Sequence, residues 1–230
     1  MLYGVGNHDL GKESMTTAIS EENENSPVYK KYFPQHFPSN VDSDGTETGV
    51  ERRVPEMHER RTFTAHTFAD KMLVLSLDAH YGEPHGPRQS NWIERKLREY
   101  AGLRYSFTHY HNPLVPGCQK GIGSSMDAGR KYWIPLFDEY GLTMSFENHV
   151  HAMKRSFPLK NYTKSEGGTV YIGDGRWGTH KTFCDRVLDD LVPVSTLDFH
   201  AWFLRIRNTS IYVEALGLHG TVLDSFTVTK

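Results

Sequence analysis

The chain has 230 residues, of which 37% are hydrophobic and 23% charged, and its formal net charge is −2. This length allows one domain with a sizeable core, and the near-neutral charge gives no reason to expect nucleic acid or an acidic membrane as a partner. Because no run of about 18 apolar residues occurs, we expect no transmembrane helix. The sequence as given does not begin with a basic region followed by an apolar one, so it predicts no signal peptide.

Cysteine usage and glycosylation triplets leave the compartment open. Cys118 and Cys184 are too few for a disulfide framework, and neither belongs to a motif with metal-ligand spacing. A disulfide between them and two free buried thiols both fit the sequence. Asn161 and Asn208 each begin an N-glycosylation triplet, which matters only in a protein secreted by a eukaryote.

The N-terminal part has little regular pattern. Leu2 and Tyr3 fit the end of a strand, ahead of a polar turn at residues 4–9. From residue 11 to residue 61 the composition is polar, which predicts a long surface insertion with room for one short helix. We assign residues 1–230 to one domain that carries this insertion.

A β-hairpin is predicted next. Phe63–Phe68 and Met72–Leu77 have strand-like patterns, and Ala69–Lys71 between them is typical of a turn. Met72–Leu77 is almost continuously apolar, which indicates a central strand buried on both faces. Further strands are predicted at Arg104–His111 and Leu142–Phe146.

Two helices are predicted between these strands. Ser90 fits the N-cap of a helix at Asn91–Ala101, whose apolar residues recur at helical spacing. The second helix is Ser125–Tyr140, where Pro135 either kinks the helix or marks a first turn. Gly141 fits the position that follows its C-terminus.

The last part of the chain consists of strands separated by glycines. Four strands are predicted beyond Pro158, at Thr169–Ile172, His200–Arg207, Ser210–Leu216 and Thr221–Thr229. The last two form a hairpin across residues 217–220. We expect this part to supply a second sheet.

Two histidines follow the strand Leu142–Phe146. His149 and His151 are two residues apart, and residues i and i+2 of an extended backbone point the same way. Imidazole is the commonest protein ligand for transition metals, so this pair is able to hold one ion or to bridge two. A lone His-x-His is also common as two polar loop residues, so it indicates a metal site only together with other motifs.

Two other motifs also follow β-like stretches. Residues 6–9 read Gly-Asn-His-Asp, and residues 111–113 read His-Asn-Pro. With His149-Val150-His151, and in this order, they resemble the motifs of the calcineurin-like metallophosphoesterases. The closest likeness is to the purple-acid-phosphatase-like branch, whose motifs are GNH[DE], H-x-P and GHxH. Further stretches that resemble this branch are Trp92–Leu97, Ala152–Leu159 and Gly168–Gly175.

The resemblance implies an α/β fold, a metallophosphoesterase sandwich of two mixed β-sheets flanked by α-helices. In the family, the motifs D-x-H (D-x-G in this branch) and GD-x-x-[DY] precede GNH[DE]. Here the third motif already begins at Gly6. We therefore expect the N-terminal β-α-β portion to be missing and the chain to correspond to the C-terminal part of such a protein. A truncated gene and a longer natural chain both explain this start.

The resemblance also implies a set of metal ligands. Asn7, through its amide oxygen, binds one metal together with His111 and His149, whereas His151 belongs to the other metal. His109 lies two residues before His111 on the same strand face and is the second choice for that ligand. The branch's two-metal centre implies Fe, Mn or Zn ions as cofactors.

Catalytic roles are implied for His8 and Asp9. His8 faces the substrate and protonates the leaving oxygen or stabilises the phosphoryl charge, a role that suits imidazole. Asp9 orients His8.

Three residues around His-x-His depart from the motif or carry charge. Asn148 stands where the branch has glycine, and we expect it to tolerate the positive φ that this glycine supplies. Lys154 and Arg155 either attract phosphate or have a solvated or core-bridging role.

The implied reaction is phosphoester hydrolysis, in which a metal-bound hydroxide attacks phosphorus in line and two ions share the developing charge. The expected substrate is a phosphoester small molecule or a phosphoprotein. One alternative is a catalytically inactive, truncated scaffold that acts as a binding protein. Another is a phosphodiesterase or nucleotide hydrolase of the same fold. The resemblance also favours an extracytoplasmic or secreted protein.

Overall fold

The computed structural model describes residues 2–9, 31–33, 46, 61–79, 85–117, 124–174, 176–179 and 190–230. Its α-helices are α1 Pro87–Glu99, α2 Ser124–Tyr132 and α3 Ile134–Glu139, and a 3₁₀ turn covers Leu218–Gly220. Its strands are β1 Thr64–Phe68, β2 Met72–Ser76, β3 Tyr105–Tyr110, β4 Met144–Glu147, β5 Met153–Arg155, β6 Leu159–Lys160, β7 Thr163–Lys164, β8 Val170–Asp174, β9 Val194–Thr196, β10 His200–Ile206, β11 Ser210–Gly217 and β12 Val222–Thr229.

Within these residues the strands form two main sheets. Seven strands build a mixed sheet in the order β1-β2-β3-β4-β8-β5-β9, and β10-β11-β12 form an antiparallel sheet. The neighbours β2, β3, β4 and β8 run parallel to one another. Their carboxyl ends therefore meet at one edge of the large sheet, which is where the predicted histidine motifs lie.

The large sheet has a core on each face. Trp92 of α1 and Trp133, at the junction of α2 and α3, share one core with Leu75 of β2. Phe107 of β3 shares the other core with Val213 of β11. Because each face of the sheet buries apolar side chains, the chain stacks helices, a mixed sheet and a second sheet. The predicted α/β sandwich is confirmed, and the second sheet is antiparallel throughout its described strands.

Both helix predictions need correction at their boundaries. The first helix begins at Pro87, not at Asn91, because proline is pre-organised for the first helical turn. Ser90 consequently lies inside the helix, where its Oγ donates to the Gly86 carbonyl at 2.8 Å instead of capping the N-terminus. The second predicted helix is two helices that meet at Trp133, and Pro135 occupies the first turn of the latter.

The predicted turns are confirmed. Ala69 and Asp70 adopt left-handed φ values of 50° and 47° and join β1 to β2 in a tight hairpin. Gly141 has a φ of 60° after the helix α3, as expected for a residue that follows a helix C-terminus. The predicted hairpin across residues 217–220 joins β11 to β12.

Several predictions fall outside the described residues. Cys118, Cys184 and most of the polar insertion at residues 11–61 lie there, so they stay predictions. Among the described helices, none is long and apolar enough to cross a membrane.

Candidate metal centre

The site lies where β3 and β4 end side by side. These parallel strands are in register, with Tyr110 opposite Glu147. Beyond the strand ends, the Asn148 backbone N–H donates to the His111 carbonyl at 3.0 Å, and the Asn148 side chain donates to the Tyr110 carbonyl at 2.9 Å. These two bonds hold the loop after β4 against the loop after β3. They bring the His-x-Pro motif and the His-x-His motif together.

Three of the four predicted ligands converge. The His111 Nε2 atom lies 2.9 Å from Asn7 Oδ1 and 3.0 Å from His149 Nδ1. Asn7 is buried, and both histidines are half-buried. The three side chains come from three separate parts of the chain, so this convergence is a product of the tertiary structure.

His151 occupies a different position from these three. It lies close enough for its charge to lower the pKa of both His111 and His149. Its side chain is half-buried. Its assignment to a further metal stays a prediction.

The backbone of the His-x-His stretch is not extended. His149 and His151 have left-handed φ values of 64° and 55°, whereas Asn148 is not left-handed. The prediction that both histidines project from an extended strand is therefore wrong, and Asn148 does not take the positive φ that we expected it to tolerate. The cause is local hydrogen bonding, since the Val150 N–H donates to the Asn148 carbonyl at 2.7 Å and turns the chain. Left-handed histidines are uncommon and strained, a condition that often marks a functional site.

The Asn-His-Asp motif forms a turn. The Asp9 N–H donates to the Gly6 carbonyl at 3.2 Å, and the Asp9 Oδ2 atom accepts from the Gly6 N–H at 2.8 Å. Asp9 thus stabilises the turn that presents Asn7. His8 and Asp9 are both exposed at this turn. Their catalytic roles, and the orientation of His8 by Asp9, stay predictions.

Gly6 is required for the close approach of this turn to His111. A Cβ atom at Gly6 would lie 2.8 Å from Nδ1 and 2.9 Å from Cε1 of the His111 ring. We expect Gly6→Ala to displace the ring and to weaken Zn²⁺ binding about tenfold or more, as changes that reorient a ligand do. Isothermal titration calorimetry measures this effect.

Gly102→Ala is the control for the Gly6 substitution. A Cβ atom at Gly102 meets no atom within 4 Å, so we expect this variant to bind Zn²⁺ like the wild type. Equal affinities for Gly6→Ala and Gly102→Ala would contradict the close packing of Gly6 against a ligand.

Burial sets the charge state of the two ligand histidines. It lowers the pKa of His111 to about 3 and that of His149 to about 4, and the neighbouring histidines act in the same direction. Both imidazoles are consequently neutral near pH 7. A neutral imidazole has a free lone pair, which is the form that binds metal.

The two spacings around His111 Nε2 are compatible with donors that share a metal ion. Nitrogen and oxygen ligands bind metals such as Zn²⁺ at about 2.0–2.2 Å, so neighbouring donors lie about 3.0 Å apart at a 90° angle and about 3.4 Å apart at the tetrahedral angle. The spacings of 2.9 Å and 3.0 Å around His111 Nε2 are close to the first of these values and are also hydrogen-bond distances. No group of three His, Cys, Asp or Glu side chains in the described part of the chain is placed to hold a metal. The candidate site therefore depends on the amide oxygen of Asn7 as its third donor.

His109, the second choice for the strand ligand, is engaged elsewhere. Its Nε2 atom forms a hydrogen bond with Ser76 Oγ. The side chain lines a mainly apolar cleft of about 370 Å³, which extends between the two sheets to Phe146 and Leu204. The structure thus brings His111, and not His109, to Asn7 and His149.

Sequence reasoning missed the role of Glu147. This residue is completely buried at the end of β4 and forms a salt bridge with Lys154. The Lys154 side chain is buried, which agrees with the core-bridging role offered for it above and not with phosphate attraction. Arg155 likewise pairs with Asp224 on β12, at 2.6 Å and 3.0 Å. The sequence did contain one signal for this pair, a charged residue directly after a buried apolar strand. Such residues are rarely buried without a partner, so this position indicated a buried ion pair.

Known protein structures share this architecture, although no protein-family model and no curated protein sequence matches the chain. The purple acid phosphatase PPD1 from yellow lupin (Lupinus luteus) seeds superposes with a TM-score of 0.72 at 16% sequence identity, over 98% of this chain and 40% of that chain. The fold is metallophosphoesterase-like. This finding confirms the predicted sandwich.

Two other solved structures are similar in fold. PhoD superposes with a TM-score of 0.60 at 11% identity, over 98% of this chain and 52% of that chain. GAP50, described as the anchor in the inner membrane complex of Plasmodium, has a TM-score of 0.54 at 12% identity, over 73% of this chain and 53% of that chain. The chain thus spans between 40% and 53% of the length of these three structures.

Proposed function

We propose that this chain is a metal-dependent phosphoester hydrolase, or the metal-binding part of one. The observation that carries the proposal is the convergence of Asn7 Oδ1, His111 Nε2 and His149 Nδ1, with His111 Nε2 within 3.0 Å of both other atoms. The convergence joins the N-terminal turn to the ends of β3 and β4 in a metallophosphoesterase-like fold. It joins the motifs whose order in the sequence resembles that of the purple-acid-phosphatase-like branch.

Asn7, His111 and His149 would hold one ion through one oxygen and two nitrogens, a donor set that suits Fe, Mn or Zn. We assign His151 to a second ion, as the resemblance implies, but His151 is its one assigned ligand in this chain, so we expect the chain by itself to bind the first ion alone. When bound, such ions supply the Lewis-acid charge that activates water and neutralises the charge developing on the phosphoryl oxygens. The neutral imidazoles of His111 and His149 are ready to bind without first losing a proton.

His8 is the proton donor of the proposed reaction. It is exposed on the turn beside Asn7, so it would lie near a phosphoester that binds next to the metal ligands. Histidine is the side chain that most often transfers protons in enzymes, and here it would protonate the leaving oxygen. Asp9 contributes by holding the turn through the Gly6 N–H.

Hydrolysis of p-nitrophenyl phosphate by the 230-residue chain loaded with Mn²⁺, Zn²⁺ or Fe tests this proposal. We expect metal-dependent turnover below the range of about 1–10³ per second that is usual for enzymes, because the chain offers four of the family's metal ligands. EDTA and the substitution His111→Ala should each abolish the turnover. Turnover that survives both treatments would contradict the proposal. Parallel assays with bis(p-nitrophenyl) phosphate distinguish a phosphatase from a phosphodiesterase.

A non-catalytic binding protein is the second candidate. The observation that favours it is the similarity in fold to GAP50, a protein described as an anchor. In this case the folded chain would hydrolyse neither substrate, even when metal is supplied. The same assays therefore distinguish the two candidates.

A further inference from the structure

A buried ion pair lies at the base of the loop that carries His149 and His151. Glu147 ends β4 and Lys154 lies in β5, on either side of this loop. The Lys154 ammonium group donates to Glu147 Oε2, and the two side chains are 3% and 0% exposed, respectively. The pair therefore closes the loop at both of its ends.

Glu147 also holds the loop that follows β3. Its Oε1 atom accepts from the Leu114 N–H at 2.7 Å and from the Tyr110 hydroxyl at 2.8 Å. The Val115 N–H lies 3.3 Å from each oxygen of the carboxylate. Lys154 donates to the Val115 carbonyl as well. One carboxylate and one ammonium group thus connect the two loops that carry the candidate ligands.

A chain of hydroxyl groups leads to this carboxylate. Thr108 Oγ1 donates to Ser145 Oγ at 2.9 Å, and Ser145 Oγ donates to the Tyr110 hydroxyl at 2.8 Å. The Tyr110 hydroxyl then donates to Glu147. Because successive donors polarise one another in a buried environment, this chain strengthens the bond that Glu147 accepts.

The packing around Lys154 provides a defined path for its side chain. A Cβ atom at Gly173 would lie 2.4 Å from Lys154 Cγ, and one at Gly117 would lie 3.1 Å from Lys154 Cδ. Two glycines thus leave the space that the lysine stem occupies.

Stability alone does not account for such a pair. Removing two charges from water is costly, and replacing a buried ion pair with well-packed hydrophobic residues of similar volume is often neutral or stabilising. A pair with directional bonds to both loops instead restricts their relative position, which an apolar contact does not.

We propose that Glu147 and Lys154 are positioning residues whose ion pair sets the separation of His111 and His149 and thereby the metal affinity of the site. This inference rests on the proposed function, because it requires that these histidines bind metal. It adds two residues that touch neither metal nor substrate. They act through the loops that they hold.

The double variant Glu147→Gln with Lys154→Met tests the inference, because it removes both charges and keeps similar side-chain volumes. We expect this variant to fold, because it leaves no buried charge without a partner. Its dissociation constant for Zn²⁺ should rise about 10–100-fold, the usual effect of losing groups that orient metal ligands. The visible absorption spectrum of the Co²⁺-loaded variant should also change, since it reports the geometry of the ligands.

A matched control removes a different ion pair from the same strand. Arg155→Met with Asp224→Asn deletes the salt bridge between β5 and β12, whose two hydrogen bonds join Arg155 to Asp224. We expect this variant to keep the wild-type Zn²⁺ affinity and Co²⁺ spectrum. A loss of affinity equal to that of the Glu147 and Lys154 variant would overturn the inference.

Glu147→Asp provides a second, more conservative test. It keeps the negative charge but shortens the side chain by one methylene, so the carboxylate cannot reach Lys154 and the backbone of residues 114–115 together. We expect folded protein with weakened Zn²⁺ binding. Wild-type affinity in this variant would overturn the inference even if the double variant does not fold. Failure of the wild-type chain to bind Zn²⁺ would instead overturn the proposed function, and the inference with it.

Discussion

The substitution His149→Ala is expected to weaken Zn²⁺ binding about 100-fold or more, whereas His151→Ala should have a far smaller effect. His149 Nδ1 lies 3.0 Å from His111 Nε2, so it belongs to the cluster of three donors. The binding free energy of a structural Zn²⁺ site is about 10–16 kcal/mol and is shared by four ligands. The loss of one ligand therefore costs about a quarter of this energy, which raises the dissociation constant about 100-fold or more. We also expect the wild-type chain to bind close to one equivalent of metal, because three protein ligands plus water form a normal open site.

The two variants form a matched pair. Both histidines occupy the same loop with left-handed φ values of 64° and 55°, so alanine meets similar backbone strain at either position. Calorimetric titration of folded protein gives both the stoichiometry and the two affinities. Two tight equivalents, or equal losses for both variants, would contradict the assignment of a single site to Asn7, His111 and His149. Folded wild-type protein that binds no metal would favour the binding-protein candidate.

Mild acid is expected to destabilise the metal-free chain. Burial, and to a lesser degree His66, lowers the pKa of His109 to about 4 from an ordinary value of 6.5. Between these values the unfolded chain binds a proton that the folded chain excludes. The stabilisation is therefore complete above about pH 6.5 and is lost as the pH falls toward 4. At pH 5 the effect of His109 alone lowers the free energy of unfolding by about 2 kcal/mol. The lowered pKa values of His111 and His149 act in the same direction.

Thermal unfolding in EDTA at pH 7.5 and pH 5 measures this loss. The variant His109→Gln keeps a polar group beside Ser76 but does not titrate in this range, so its stability should decline less on acidification. An identical decline in the variant and the wild type would show that His109 does not exclude the proton. Excess Zn²⁺ at pH 7.5 should raise the midpoint of the wild type, since a ligand that binds the folded state stabilises it by mass action.

The elements that carry the site were predictable because their signals are local. Alternating and apolar runs predicted strands at Arg104–His111 and Leu142–Phe146, and the structure has β3 at Tyr105–Tyr110 and β4 at Met144–Glu147. The start of the first helix was not predictable from capping alone, because Ser90 and Pro87 are competing N-terminal signals. A proline in the first turn needs no side-chain cap, and the helix begins there.

The buried pair of Glu147 and Lys154 left only a weak signal in the sequence. A loop separates the two residues, and neither has a spacing that pairs it with the other along a helix or a strand. Their salt bridge exists because Glu147 on β4 and Lys154 on β5 both pair with Gly173, on the strand β8 that lies between them. This pairing is a property of the sheet order, which local patterns do not contain.

The sequence by itself determined which side chains with metal-binding chemistry stand at the strand ends. The tertiary structure decided which of them meet. His109 and His111 are two residues apart, and an alternating pattern does not distinguish them. His111 reaches Asn7, a residue far away in the sequence, whereas His109 reaches Ser76 on the neighbouring strand. The physical reason is that each contact depends on where β3 ends relative to β2, to β4 and to the N-terminal turn, and such distances are set only when these segments pack together.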